Sequence, residues 1–225
     1  MKIIPIKLGV FLLLELILYG MILTVGGLWL SVSSYAAILL CFAYALSFWR
    51  SGDRCILLGL LFTVGADYFL VICDPVQRLW GMVMFLCAQT CYAIALSAVV
   101  KGRGWLVARG VVTGIALAVT VIVLGENCDA LALVSLCYYG NLIMNMVTAF
   151  SGFGGKKLLP WAFVLFLLCD TVIGLQVAAG SYLPIGEETL LYRLIFTDFN
   201  LAWFFYLPSQ VMIALSANKM RGETW

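Results

Sequence analysis

Residues 55–73 (CILLGLLFTVGADYFLVIC) run without a charge except at Asp67. A stretch this long and apolar matches the hydrocarbon core of a bilayer, which takes about 20 residues of helix to cross. In lipid every backbone N–H and C=O must be satisfied within the segment, so helix is the spanning form open to it. Comparable runs recur along the chain, and we place them at 8–30, 32–49, 79–100, 107–124, 130–150, 158–179 and 194–217. The linkers RSGDR (50–54), DPVQR (74–78), GENCD (125–129) and SGFGGKK (151–157) hold turn formers and much of the charge. Hydrophobic residues make up 64% of the chain and charged ones 11%, against about 45–50% and about 25% in soluble domains. The expectation is an all-α integral membrane bundle of about eight transmembrane helices, with residues 1–225 forming a single transmembrane domain. The start, MKIIPIKLGV, is basic and leads into an apolar run. That run is too long for a signal-peptide core and has no prompt small-residue cleavage site, so it reads as the first span.

Basic residues set an expected orientation. With the N-terminus in the cytoplasm and eight crossings, the inner segments hold Lys2, Lys7, Arg50, Arg54, Lys101, Arg103, Arg109, Lys156, Lys157, Lys219 and Arg221. The outer segments hold Arg78 and Arg193. This asymmetry follows the positive-inside rule and puts both termini in the cytoplasm, in a multi-pass protein of the cell membrane. The net charge of +2 then reflects topology, and no nucleic-acid partner is expected. Trp29, Trp49, Trp80, Trp105 and Tyr182 lie near span ends and read as interfacial anchors.

Histidine is absent and the eight cysteines form no C-x-x-C. His-ligated haem and zinc sites and a Ser-His-Asp triad are thereby excluded. The cysteines read as small buried apolar residues. With no G-x-G-x-x-G and no Walker loop, we expect no cofactor and no metal.

A carboxylate at the centre of a membrane helix costs roughly 2.5–3.5 kcal/mol even on insertion scales. Asp67 bears that cost in 55–73 and Asp170 in 158–179. Each lies 12 residues into a run, about 18 Å deep at 1.5 Å per residue. Asp198, just inside the last run, falls in the outer half as well. It could join the other two or merely cap a helix start, where the dipole favours an acid. Other polar residues fall near this level. Gln89 has Phe85 and Tyr92 on its face. Asn141, Asn145 and Thr148 form a stripe with Tyr138 one turn before, and Gly59, Thr63 and Asp67 form another. Tyr206 and Gln210 are one turn apart, with Pro208 between them freeing the carbonyl of Phe204. Such stripes line a polar cavity or simply hold helices together. Glu15, in the first run, reads as a helix contact.

At these residues the chain resembles a known family. Residues 59–70 (GLLFTVGADYFL) look like the G-L-L-F-S-x-x-G-D-x-x-L signature of the YhhN-type lysoplasmalogenases. Gly81, Phe85, Gln89 and Tyr92 are similar to the family's G-x3-F-x3-H-x2-Y. Residues 163–170 (FVLFLLCD) look like its second motif, an apolar run ending in Ser-Asp. Residues 206–214 (YLPSQVMIA) are similar to its Y-x-x-A-Q-x-x-I-A ending. The likeness is strongest over 55–217. It implies an eight-helix membrane protein that hydrolyses the vinyl ether bond of lysoplasmalogens to a fatty aldehyde and a glycerophospho-headgroup. Ala66 stands for the family's Gly before the first Asp, and Cys169 for its Ser before the second. Gln89 stands where the pattern often has His, and an amide can hydrogen-bond but cannot shuttle a proton near neutral pH.

The chemistry fits the residues. Protonating the β-carbon of a vinyl ether gives an oxocarbenium ion, water adds, and the hemiacetal collapses to aldehyde and alcohol. This needs a neutral carboxylic acid as donor and an ionised one to steady the cation, a division of labour that glycosidases use. The expected catalytic residues are Asp67 and Asp170, with Asp198 or Gln89 positioning water. Gln89, Tyr92, Asn141, Asn145, Tyr206 and Gln210 are the expected substrate-binding residues. The expected partners are a lysophospholipid substrate and the bilayer, and the depth of the acids would put the headgroup at the outer interface. Two other classes remain open: a proton- or ion-coupled transporter built from two parallel halves, and a non-catalytic lipid-binding membrane protein.

Overall fold

The computed structural model describes residues 6–100, 102–125, 128–153, 157–181, 186, 188–197 and 199–218. It is helical throughout, with no strand among the described residues. The helices are α1 (Ile6–Thr24), α2 (Gly27–Leu46), α3 (Arg54–Asp67), α4 (Arg78–Ser97), α5 (Arg103–Leu124), α6 (Ala130–Phe153), α7 (Leu158–Ser181), α8 (Leu190–Ile195) and α9 (Leu201–Ser216). After Asp67, α3 continues as one π turn, Tyr68–Ile72, in which Cys73 N–H donates to the carbonyl of Tyr68 at 3.0 Å.

Among the described residues seven helices are long and apolar enough to cross a membrane: α1, α2, α3 with its π turn, α4, α5, α6 and α7. α9 is apolar but has 16 residues, about 24 Å of helix against a core of about 30 Å. The outer faces carry exposed Leu13, Ile17, Leu28, Leu106, Ile115 and Ile122. In water such surface drives association; facing lipid it is the expected exterior. The chain is a multi-pass membrane protein.

Two expected boundaries shift. The first two spans, expected at 8–30 and 32–49, divide instead between Thr24 and Gly27, where the backbone takes a φ of 62°. Glycine has no Cβ to oppose that left-handed turn, and two apolar neighbours hid the break. The last span, expected at 194–217, takes in only the last two residues of α8 and is otherwise α9, which starts at Leu201. Thr189 caps α8 by accepting from Tyr192 N–H at 3.2 Å, and Asn200 caps α9 by accepting from Trp203 N–H at 3.3 Å. α3 is capped by Asp53, whose side chain accepts from the N–H groups of Cys55 and Ile56 at 2.8 and 3.1 Å. These caps satisfy donors that a helix start otherwise leaves bare.

Six helices close a ring. α2 packs on α3, α3 on α4, α4 on α6, α6 on α7, α7 on α9, and α9 back on α2. α1 lies outside against α2 and α9, and α5 outside against α6. The neighbour order repeats. α1 meets α2 as α5 meets α6, α2 meets α3 as α6 meets α7, α3 meets α4 as α7 meets α9, and α4 meets α6 as α9 meets α2. Asp67 and Asp170 stand on the corresponding helices α3 and α7. The core filling the ring includes Leu60, Phe85, Tyr92, Phe163, Phe166 and Leu207.

Gly59 allows the closest approach in this core. A Cβ there would run into the ring of Tyr92, which packs tilted against Phe163 at 5.8 Å and sets its hydroxyl 3.4 Å from Thr63 Oγ1. Glu15 is buried, accepts from Cys41 Sγ at 3.2 Å and so joins α1 to α2. Of the expected anchors, Trp29, Trp49 and Trp80 are exposed, and Tyr182 lies outside the described residues. So do Lys2, Lys101, Lys156, Lys219 and Arg221.

Candidate functional site

Asp67 closes the regular part of α3, and the π turn begins at the next residue. A π turn adds a residue to the turn, shifts the register of the residues beyond it, and often marks a functional position. Asp67 is 3% exposed, and its Oδ2 accepts a hydrogen bond from the Tyr206 hydroxyl of α9 at 2.7 Å. Asp170, half-buried on α7, is held in the same way: the Tyr138 hydroxyl of α6 donates to its Oδ2. Each carboxyl therefore has a phenol from another helix on one oxygen.

The two tyrosines meet across two phenylalanines. The Phe85 ring of α4 lies 5.5 Å from Tyr138 and 6.3 Å from Tyr206. The Phe166 ring of α7 lies 6.3 Å and 5.4 Å from the same two, and 5.8 Å from Phe85. The Phe85–Tyr138 pair is tilted and the other four are edge-to-face, and rings at such spacing fix one another's orientation. Four helices thus clamp the phenols that hold the two acids.

A second polar cluster joins α4, α5 and α6. Asn145 Nδ2 donates to the carbonyl and to Oε1 of Gln89, at 2.9 and 2.8 Å. Its Oδ1 accepts from Arg109 Nη2 at 2.8 Å. Asn141 Oδ1 accepts from Arg109 Nη1 at 2.8 Å, while its Nδ2 donates to the Cys137 carbonyl at 2.9 Å. Both asparagines thus turn their oxygens to the guanidinium and their amides elsewhere. Arg109, expected among the inner segments, belongs to α5. It was legible as a charge only three residues inside a run, opposite an asparagine stripe in need of a partner.

The structure sorts the expected site residues. Asp67, Asp170 and Tyr206 come together, with Tyr138 as an unforeseen fourth member. Gln89, Asn141 and Asn145 form the Arg109 cluster. Tyr92 is fully buried against Gly59 and Phe163. Gln210 is fully buried one turn beyond Tyr206. Its Oε1 and the Nε2 of Gln89 are both buried without a partner. Gln89 comes one turn after Phe85, as Gln210 comes one turn after Tyr206, and those two rings are in contact. Asp198 lies outside the described residues. Among the described residues no three His, Cys, Asp or Glu side chains gather as metal ligands.

No curated protein and no solved structure matches the chain. The model of the YhhN family matches residues 27–217, a span that takes in α2 through α9, both acids and both tyrosines that hold them. The chain belongs to the YhhN family.

Proposed function

We propose that this protein is a membrane-embedded hydrolase that cleaves the vinyl ether bond of lysoplasmalogen-type lysolipids. The observation that carries the reading is the Asp67–Tyr206 and Asp170–Tyr138 arrangement across the Phe85–Phe166 pair. Family membership supports it, since lysoplasmalogenases are found among YhhN proteins. One of the two acids, neutral, gives its proton to the β-carbon of the vinyl ether. The other, ionised, steadies the oxocarbenium ion and takes a proton from the water that adds to the α-carbon. The hemiacetal then breaks its C–O bond, the aldehyde leaves, and the glycerol oxygen takes up a proton. Both carboxyl groups return to their starting states after proton exchange with water. Tyr206 and Tyr138 act as positioning residues, fixing one oxygen of each acid and leaving the other for the proton. The orphaned Gln89 Nε2 and Gln210 Oε1 supply a donor and an acceptor for a water one turn away.

The test is aldehyde release from lysoplasmenylethanolamine by purified protein, with the ester lysolipid alongside. Asp67→Asn and Asp170→Asn should each lower kcat by at least about 100-fold, the scale of a lost general acid. Wild-type turnover by either variant sinks the role of that residue.

The repeated neighbour order of the helices favours a second reading, a transporter of two parallel halves. In reconstituted liposomes that reading requires substrate flux with no aldehyde formed.

A further inference from the structure

α5 stands apart from the ring. It packs on α6, and among its described side chains only Thr120 is buried. Where it leaves α4 there is a cleft of about 520 Å³, lined among others by Thr90, Ser97, Trp105, Arg109, Asn141 and Thr148. Ligand sites typically fall within about 300–1,000 Å³. Most of the wall is apolar, and among the described residues one cation, Arg109, lines it.

Arg109 is six residues into α5, about 9 Å along the helix axis. A headgroup phosphate reaches that depth where a Trp such as Trp105 marks the interface. Among the described residues the guanidinium is held by neutral oxygens: Asn141 Oδ1 at 2.8 Å, the Asn141 carbonyl at 3.4 Å and Asn145 Oδ1 at 2.8 Å. Amides orient the charge without cancelling it. Arginine has five N–H donors, so these three bonds leave Nε and one hydrogen of Nη2 for another acceptor. A charge this deep in a span is costly without a counter-charge, and a planar guanidinium suits the two oxygens of a phosphate.

We propose that the cleft between α4 and α5 binds an anionic phospholipid of the surrounding bilayer, with its phosphate on Arg109 and its chains along the apolar wall. The site stands apart from the two acids and does not rest on the hydrolase reading. Its bound lipid would act as the missing counter-charge and fill the gap that α5 leaves beside α4. The Arg109–Asn145–Gln89 chain then links lipid occupancy to the wall of the ring.

The experiment is lipid binding to the purified full chain in detergent, read by native mass spectrometry and by the shift in melting temperature. Phosphatidylglycerol is the probe; diacylglycerol of the same chains and inorganic phosphate are the comparisons. Wild-type protein should retain one phosphatidylglycerol and melt higher with it. Arg109→Gln should weaken that binding at least about tenfold, the worth of one charge-assisted pair. Ile94 also lines the cleft, from α4; Ile94→Trp fills it, leaves the Arg109 hydrogen bonds in place and should weaken binding too, and it decides the matter if Arg109→Gln does not fold. Equal binding of diacylglycerol, or of phosphatidylglycerol by either variant, overturns the proposal. Inorganic phosphate binding as tightly as the lipid would assign the site to a free anion and overturn the lipid as its occupant.

Discussion

Tyr206 and Tyr138 hold the acids, and both can be tested by removing one oxygen. Tyr206→Phe keeps the ring among Phe85, Phe166 and Trp203 but strips Asp67 Oδ2 of its donor. An unsatisfied buried acceptor costs about 1–3 kcal/mol, so this variant should melt below wild type in detergent and release less aldehyde. A melting curve that overlays the wild type would show the hydrogen bond adds nothing. Gly59 makes a second prediction. In Gly59→Ala the new methyl meets the Tyr92 ring, and overpacking of this kind costs about 1–3 kcal/mol. Tyr92→Leu in the same chain should recover part of the loss, whereas additive losses would place the strain elsewhere. Asp67 and Asp170 were legible in the sequence because a charge in an apolar run needs a reason. Tyr138 was visible only as a neighbour of the Asn141 stripe, since the acid it bonds lies on another helix.

At the scale of elements, Pro208 connects α9 to α1. Its missing N–H leaves the Phe204 carbonyl free, and the Tyr19 hydroxyl of α1 donates to that oxygen at 3.0 Å. Interhelical bonds in membranes average about 0.6 kcal/mol. Tyr19→Phe should cost about that much by chemical unfolding, and less in a Pro208→Ala background, where the backbone N–H of residue 208 can take the carbonyl. An equal cost in both backgrounds would sever the link between proline and tyrosine. Spans α3 through α7 were readable to within a few residues because polar linkers bound them. The α1–α2 break and the α8–α9 break were not, because the first falls at apolar-flanked glycines and the second inside a mainly apolar run. In both places a local turn interrupts hydrophobicity that periodicity alone reads as continuous.

At the scale of the whole molecule, the basic residues predict that both termini face the cytoplasm. Reporter fusions at each end and in the 74–78 linker test this. Cytoplasmic signal from both ends and an outside signal from the linker is the expected outcome; termini on opposite sides would mean that α9 does not complete a crossing. The sequence alone determined the membrane, the helical class and the two acids, because hydrophobic length and the cost of buried charge are properties of single segments. The tertiary structure decided the rest. It closed six helices into a ring, repeated their neighbour order, and set a phenol from a distant helix on each acid. It also lined a cleft with Arg109 and gave the asparagine stripe its partner. Partner choice is a property of how helices pack, and in a bilayer, where most faces are equally apolar, one helix's sequence carries little of it.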